Sequence, residues 1–110
     1  MSEAKIQVSM VMWFHNTYPE LRGMLHCNNN NSSDRMTGAQ NKAMGVYEGV
    51  SDLELILQDR VIFIEVKTDV GKLSQAQKVF MAKVTTLGHT FIVIRTLEHF
   101  KKYVWTVIGK

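Results

Sequence analysis

Four charged residues punctuate two apolar stretches between Gly49 and Lys67: Asp52 and Glu54 in the first, Glu65 and Lys67 in the second. Side chains alternate across a strand, so residues two apart share a face. The pattern predicts antiparallel strands over 52–58 and 61–67. A turn at Asp59 and Arg60 would set Asp52 opposite Lys67 and Glu54 opposite Glu65. Leu53, Leu55 and Leu57 would meet Ile62, Ile64 and Val66 on the other face. Like charges directly opposite each other destabilise a strand pair. Carboxylate oxygens gathered this way suit a hard divalent cation, Mg²⁺ or Mn²⁺. A lysine beside such a cation can orient or deprotonate a water, or steady charge on a phosphate. The chemistry indicated is metal-assisted phosphodiester hydrolysis. Solvated acids at a sheet rim, with Lys67 as an ordinary cross-strand partner, would leave the same pattern.

Several elements must position these groups. Ser2 can cap a first helix over 3–16, where Ile6, Met10, Trp13 and Phe14 recur at helical spacing. Pro19 and Gly23 break the chain before a short strand, "GMLHC". The polar run "NNNNSSD" at 28–34 reads as an exposed loop. "TGAQNKAMG" can hold a short helix ended by Gly45. Ser74, Gln77 and Gly88 punctuate a well-defined helix, with Ser74 and Gln77 in capping-box spacing. An apolar strand, "TFIVIR", follows. Thr96 caps a last helix, expected to fray after Trp105. The order is helix, strand, strand, strand, helix, strand, helix. A strand, a helix and an apolar strand predict a parallel crossover beside the antiparallel pair. The fold class is therefore α/β, a small mixed sheet flanked by helices.

The 110 residues, 45% of them hydrophobic, suit one domain over 1–110 with one core. The net charge of +3 permits a polyanionic partner without requiring one. A single cysteine, Cys27, excludes an intrachain disulfide and suits a reducing compartment. "MSEAKIQ" lacks the basic start and apolar run of a signal peptide. Apolar runs such as "MVMWF" are too short to span a bilayer. A soluble, cytoplasmic protein without a membrane partner is expected. His26 and Cys27 lack zinc-ligand spacing and read as an ordinary histidine and a buried thiol. Gly71 and Lys72 lack the leading glycine of a phosphate loop. Lys42, Lys72, Lys78, Lys83, Arg95, Lys101 and Lys102 default to solvated surface, although any could touch a DNA backbone. The methionines read as core or interface filler. Tyr47, Trp105 and "YVWTVIG" exceed what a terminal helix needs for its own core and suggest a subunit interface.

Asp52, followed on the next strand by Glu65, Val66 and Lys67, resembles the PD-(D/E)xK nuclease motif, with Ser51 at its frequent proline. More of the chain resembles one branch of that superfamily, the VRR-NUC (virus-type replication-repair nuclease) domain. "GVYEGVSDLEL" resembles its glycine-rich approach to the first acid. "FIEVKTDVGKLSQAQKVF" resembles its E-x-K strand, basic loop and glutamine-bearing helix. "SEAKIQ", "LHCNNNN" and "LGHTFIVIRTLEHF" resemble its first helix, its asparagine-ended strand and its closing strand and helix. The resemblance implies the restriction-endonuclease-like αβββαβ core and hydrolysis of DNA with Mg²⁺ or Mn²⁺, leaving a 5′-phosphate and a 3′-hydroxyl. It implies that Asp52 and Glu65 bind metal and that Val66 lends its backbone carbonyl. Lys67 would handle the attacking water, and Gln77 would assist from the crossover helix. Glu3 would hold metal through water; Glu54 matches no motif position and reads as a structural or supporting residue. Stand-alone viral members resemble dimeric four-way-junction resolvases, which implies a homodimer acting on branched DNA in a host cytoplasm. The alternatives are a nickase or flap nuclease within a larger machine, and a non-catalytic DNA-binding module.

Overall fold

The computed structural model describes residues 2–28 and 38–109. The first helix, α1, spans Glu3–Thr17, with the Ser2 hydroxyl accepting from Lys5 N–H. A 3-10 turn at Pro19–Leu21 leads into strand β1, Leu25–Cys27. Past Asn28, the expected polar loop lies outside the described residues. A short helix, α2, covers Gly38–Ala43. Strands β2, Leu53–Ile56, and β3, Val61–Val66, precede helix α3, Gln75–Thr86. Strand β4, Thr90–Ile94, and helix α4, Leu97–Ile108, complete the order. The sheet runs β1-β2-β3-β4, antiparallel for the first two pairings and parallel between β3 and β4. That is the small mixed sheet with flanking helices expected from the element order.

One sheet face carries Leu53, Leu55, Ile62, Ile64, Val66 and Ile94, all fully enclosed. Ile6, Met10 and Phe14 of α1 and Phe100 and Val104 of α4 cover it. Enclosing this continuous apolar layer is the main source of stability available to a chain of this size. The opposite face is only partly covered. There Phe80 of α3 packs edge-on against Phe63 and Phe91, with ring centroids 5.2 and 6.2 Å apart. The end of this face beyond the aromatic cluster carries the acids.

The strand register differs from the expected one. Leu53 pairs with Ile64, Glu54 with Phe63 and Ile56 with Val61. Leu57 N–H donates to Arg60 O at 3.0 Å, which centres the turn on Gln58 and Asp59. Continued past Leu53 and Ile64, this register sets Asp52 across from Glu65, not from Lys67. Two tertiary contacts account for the shift. Val61 N–H is tied to His89 Nδ1 at 3.1 Å. Arg60 is held beside Tyr103 of α4 instead of standing at the turn tip. Both faces keep their composition, because moving the turn by one residue moves every pairing by two.

Two further expectations change. Helix α4 does not fray after Trp105; it continues to Ile108 and ends at Gly109, whose φ of 86° is the left-handed cap conformation. Cys27 is exposed, not buried: it shares the inward parity of Leu25 but sits where the strand runs past the core. Among the described residues, no helix is long and apolar enough to cross a membrane.

Gly49 fixes how the segment before β2 meets α3. Its φ is +93°, and a Cβ there would lie 2.4 Å from the Ala76 carbonyl oxygen. Only glycine fits both the backbone conformation and the approach. Gly49→Ala is expected to destabilise the protein by about 2 kcal/mol or more, because strain and backbone overlap act together. Urea denaturation of the two proteins measures it.

Candidate active site

Asp52 stands just before β2, where that strand leaves the ladder. Its backbone carbonyl accepts from Asn28 N–H at 2.8 Å, so the end of β1 anchors it. Ser51 beside it is buried, its hydroxyl donating to Leu53 O at 3.1 Å. The Asp52 side chain bridges to β3, with Oδ2 accepting from Val66 N–H at 2.8 Å. A strand residue presents its N–H and C=O on the same edge. The Val66 carbonyl therefore faces the same side as Asp52.

Glu65 lies on β3, flanked by β2 and β4, and is only 2% exposed. Its Oε2 accepts from Gln77 Nε2 at 2.9 Å and lies 3.6 Å from Lys67 Nζ. Its Oε1 is buried and has no hydrogen-bond partner among the described residues. Burial, and then the charge of Asp52 together with hydrogen bonding to it, push the Glu65 carboxyl up to about 8, against the pull of Lys67.

Gln77 serves two ends at once. Its Oε1 accepts from Ser74 N–H at 2.8 Å, while Gln77 N–H donates to the Ser74 hydroxyl at 3.1 Å. This reciprocal box starts α3 and aims the remaining amide nitrogen at Glu65. Capping and contact with the acid are properties of one side chain in one rotamer.

The fold thus gathers Asp52, Glu65, Lys67 and Gln77. Glu3 is exposed in the first turn of α1, next to Ala4. Gln7, one turn further along that helix, does reach the site's approach. Together with Ala4, Cys27, Asn28, Tyr47 and Asp52 it lines a cavity of about 560 Å³. Gln7 Nε2 also contacts Cys27 Sγ at 3.5 Å. In the sequence Gln7 stands only as the last residue of "SEAKIQ", and its link to β1 is not legible from spacing. Glu54 shares the face of the acids but pairs with His26 of β1, with Oε2 3.0 Å from Nε2.

The donor set fits a small, hard divalent cation. Two carboxylates face each other, one with an unsatisfied buried oxygen, beside a strand-edge carbonyl. Among the described residues, no group of three or more His, Cys, Asp or Glu side chains could hold a metal. Asp52 and Glu65 would therefore share a cation with a backbone oxygen and water, a pattern that suits Mg²⁺.

The raised Glu65 carboxyl sets a sign for stability against pH. Between its ordinary value of 4.5 and about 8, the folded protein holds a proton that the unfolded chain has lost. In chelator, stability should fall across this window as pH rises, by at most about 1.4 kcal/mol per pH unit. Glu65→Gln should flatten that slope and leave the variant more stable than the parent near pH 8. Urea midpoints of both proteins, taken across the window, measure it. Equal slopes would contradict the electrostatic account.

The VRR-NUC domain profile matches residues 2–97. A solved structure described as a VRR_NUC domain protein superposes with a TM-score of 0.83 at 20% identity, covering 99% of this chain and 89% of its own. At that identity the superposition speaks for the fold. No protein of curated function matches the chain significantly. With most of its length matched by the profile, the chain belongs to the VRR-NUC domain family, nuclease domains of the restriction-endonuclease-like superfamily.

Proposed function

We propose that this protein is a metal-dependent, structure-selective DNA endonuclease, acting as a homodimeric four-way-junction resolvase. The observation that carries the hydrolytic reading is the close pair Asp52 and Glu65, with the buried Oε1 of Glu65 lacking a geometric hydrogen-bond partner among the described residues. Such an arrangement is costly unless a cation or proton completes it. Asp52, Glu65 and the Val66 carbonyl would hold Mg²⁺ or Mn²⁺, with Glu3 reaching it only through water. The bound cation would supply Lewis-acid charge neutralisation at the scissile phosphate. Lys67 orients the attacking water through its N–H groups. Gln77 keeps the Glu65 carboxylate in place. The water oxygen bonds to phosphorus as the bond to the 3′ oxygen breaks, leaving a 5′-phosphate and a 3′-hydroxyl.

The second half of the reading rests on surface chemistry. Val8 and Met12 of α1 and Trp105 of α4 are exposed, and Trp105 meets Trp13 edge-on at 6.1 Å. These exposed apolar side chains are candidates for contact with a second copy, which would present two active sites to two strands of branched DNA.

The decisive experiment offers end-labelled four-way junction, flap, single-stranded and linear duplex DNA with Mg²⁺, Mn²⁺ or chelator. Metal-dependent cutting confined to the junction is expected. Asp52→Asn and Lys67→Ala should each lower the cleavage rate by about a hundredfold or more. Cutting of flaps or linear duplex instead would keep the nuclease and discard the resolvase. Full activity in Asp52→Asn would overturn the assignment of the site. Light scattering on the same protein tests the dimer.

A further inference from the structure

Lys67 leaves the sheet as β3 ends, its N–H donating to Ile94 O at 3.1 Å. Its side chain is 13% exposed, although a four-carbon stem at a strand end would ordinarily swing in solvent. The cover comes from the turn that follows. Gly71 N–H donates to Thr68 O at 3.2 Å and closes it. A Cβ on Gly71 would lie 3.3 Å from Lys67 Cδ and 3.4 Å from its Cβ, so the turn passes close beside the lysine stem. Asp69 and Val70, at the turn's tip, are exposed and cannot hold it down.

Arg95, the residue after β4, does that. Its Nη1 donates to the Thr68 carbonyl and, at 2.8 Å, to the Gly71 carbonyl. A guanidinium suits this task because it is always charged and its donors sit in a rigid plane. The residue is half-buried, where the sequence by itself suggests solvated surface.

We propose that Arg95 is a positioning residue for Lys67: it clamps the 68–71 turn, and the turn holds the lysine amine at Glu65. The catalytic consequence rests on the reading of Lys67 as the group that orients water, whereas the clamp itself does not. Displacing a reacting group's partner by a fraction of its length slows chemistry without weakening substrate binding.

The test compares the full chain with Arg95→Met and Arg95→Lys, each checked for folding by circular dichroism. The first readout is the acylation rate of each lysine by an N-hydroxysuccinimide ester, followed by peptide mass spectrometry. Lys67 should react at least about threefold faster in Arg95→Met, with the other lysines unchanged, because the covering turn opens locally. Arg95→Lys, keeping one point donor, should fall between, and it carries the test alone if the methionine variant does not fold. The second readout is single-turnover cleavage of whichever DNA the parent cuts. Its rate should drop roughly ten- to a hundredfold in Arg95→Met while DNA affinity holds. Unchanged acylation of Lys67 overturns the inference whether or not the protein cuts DNA. Lost affinity with unchanged acylation would make Arg95 a DNA contact instead. Faster acylation in a parent chain that cuts nothing would leave the clamp standing and overturn the nuclease reading.

Discussion

A carboxylate shut inside a protein beside a second carboxylate is the constraint around which this structure is arranged. Glu65 sits on a strand with neighbours on both sides, and α3 closes over part of the same face. Desolvation favours its neutral form, and Asp52 across the ladder adds to that preference. Lys67 and Gln77 both approach its Oε2, and Oε1 has no geometric hydrogen-bond partner among the described residues. A fold selected only for stability would place an apolar residue there. Retaining the acid makes sense where a cation can complete the site.

The two faces of the sheet divide the work. Helices α1 and α4 cover one face with a dense apolar layer, and this makes the strands rigid. On the other face α3 is anchored by Phe80 between Phe63 and Phe91, and the acids stand at the far end. The acids stand on strands whose backs are fixed, the arrangement that best preserves sub-ångström geometry. Loops then bring in the remaining parts. Gly49 lets the segment before Asp52 press against the first turn of α3, so the acid and Gln77 are located by one contact. Arg95 locates the turn beyond Lys67 from the other side.

Such a site joins short-range and long-range determinants. Gln77 illustrates the overlap: the hydrogen bond that starts its helix also fixes the rotamer that reaches Glu65. Helix initiation and site geometry are therefore coupled, and a substitution at Ser74 would disturb both. The cavity beside Asp52 is the opposite case. Its walls come from α1, the end of β1 and the segment before β2, and none of these is near another in sequence.

By itself the sequence determined whatever depends on local periodicity and capping. Alternation with period two assigned Asp52, Glu65 and Lys67 to one face and the leucines and isoleucines to the other. Ser2, Ser74 and Thr96 marked helix starts, because a hydroxyl can accept from an N–H three residues on. The element order was enough for a mixed sheet. Tertiary structure alone decided the register, since shifting the turn by one residue leaves both faces unchanged and local pattern cannot choose. His89 and Tyr103, far along the chain, made that choice. It also decided that Cys27 lies open, that Gln7 reaches the cavity, and that Arg95 bonds the turn after Lys67. Each depends on where two distant segments meet, and spacing within a segment carries no information about that distance.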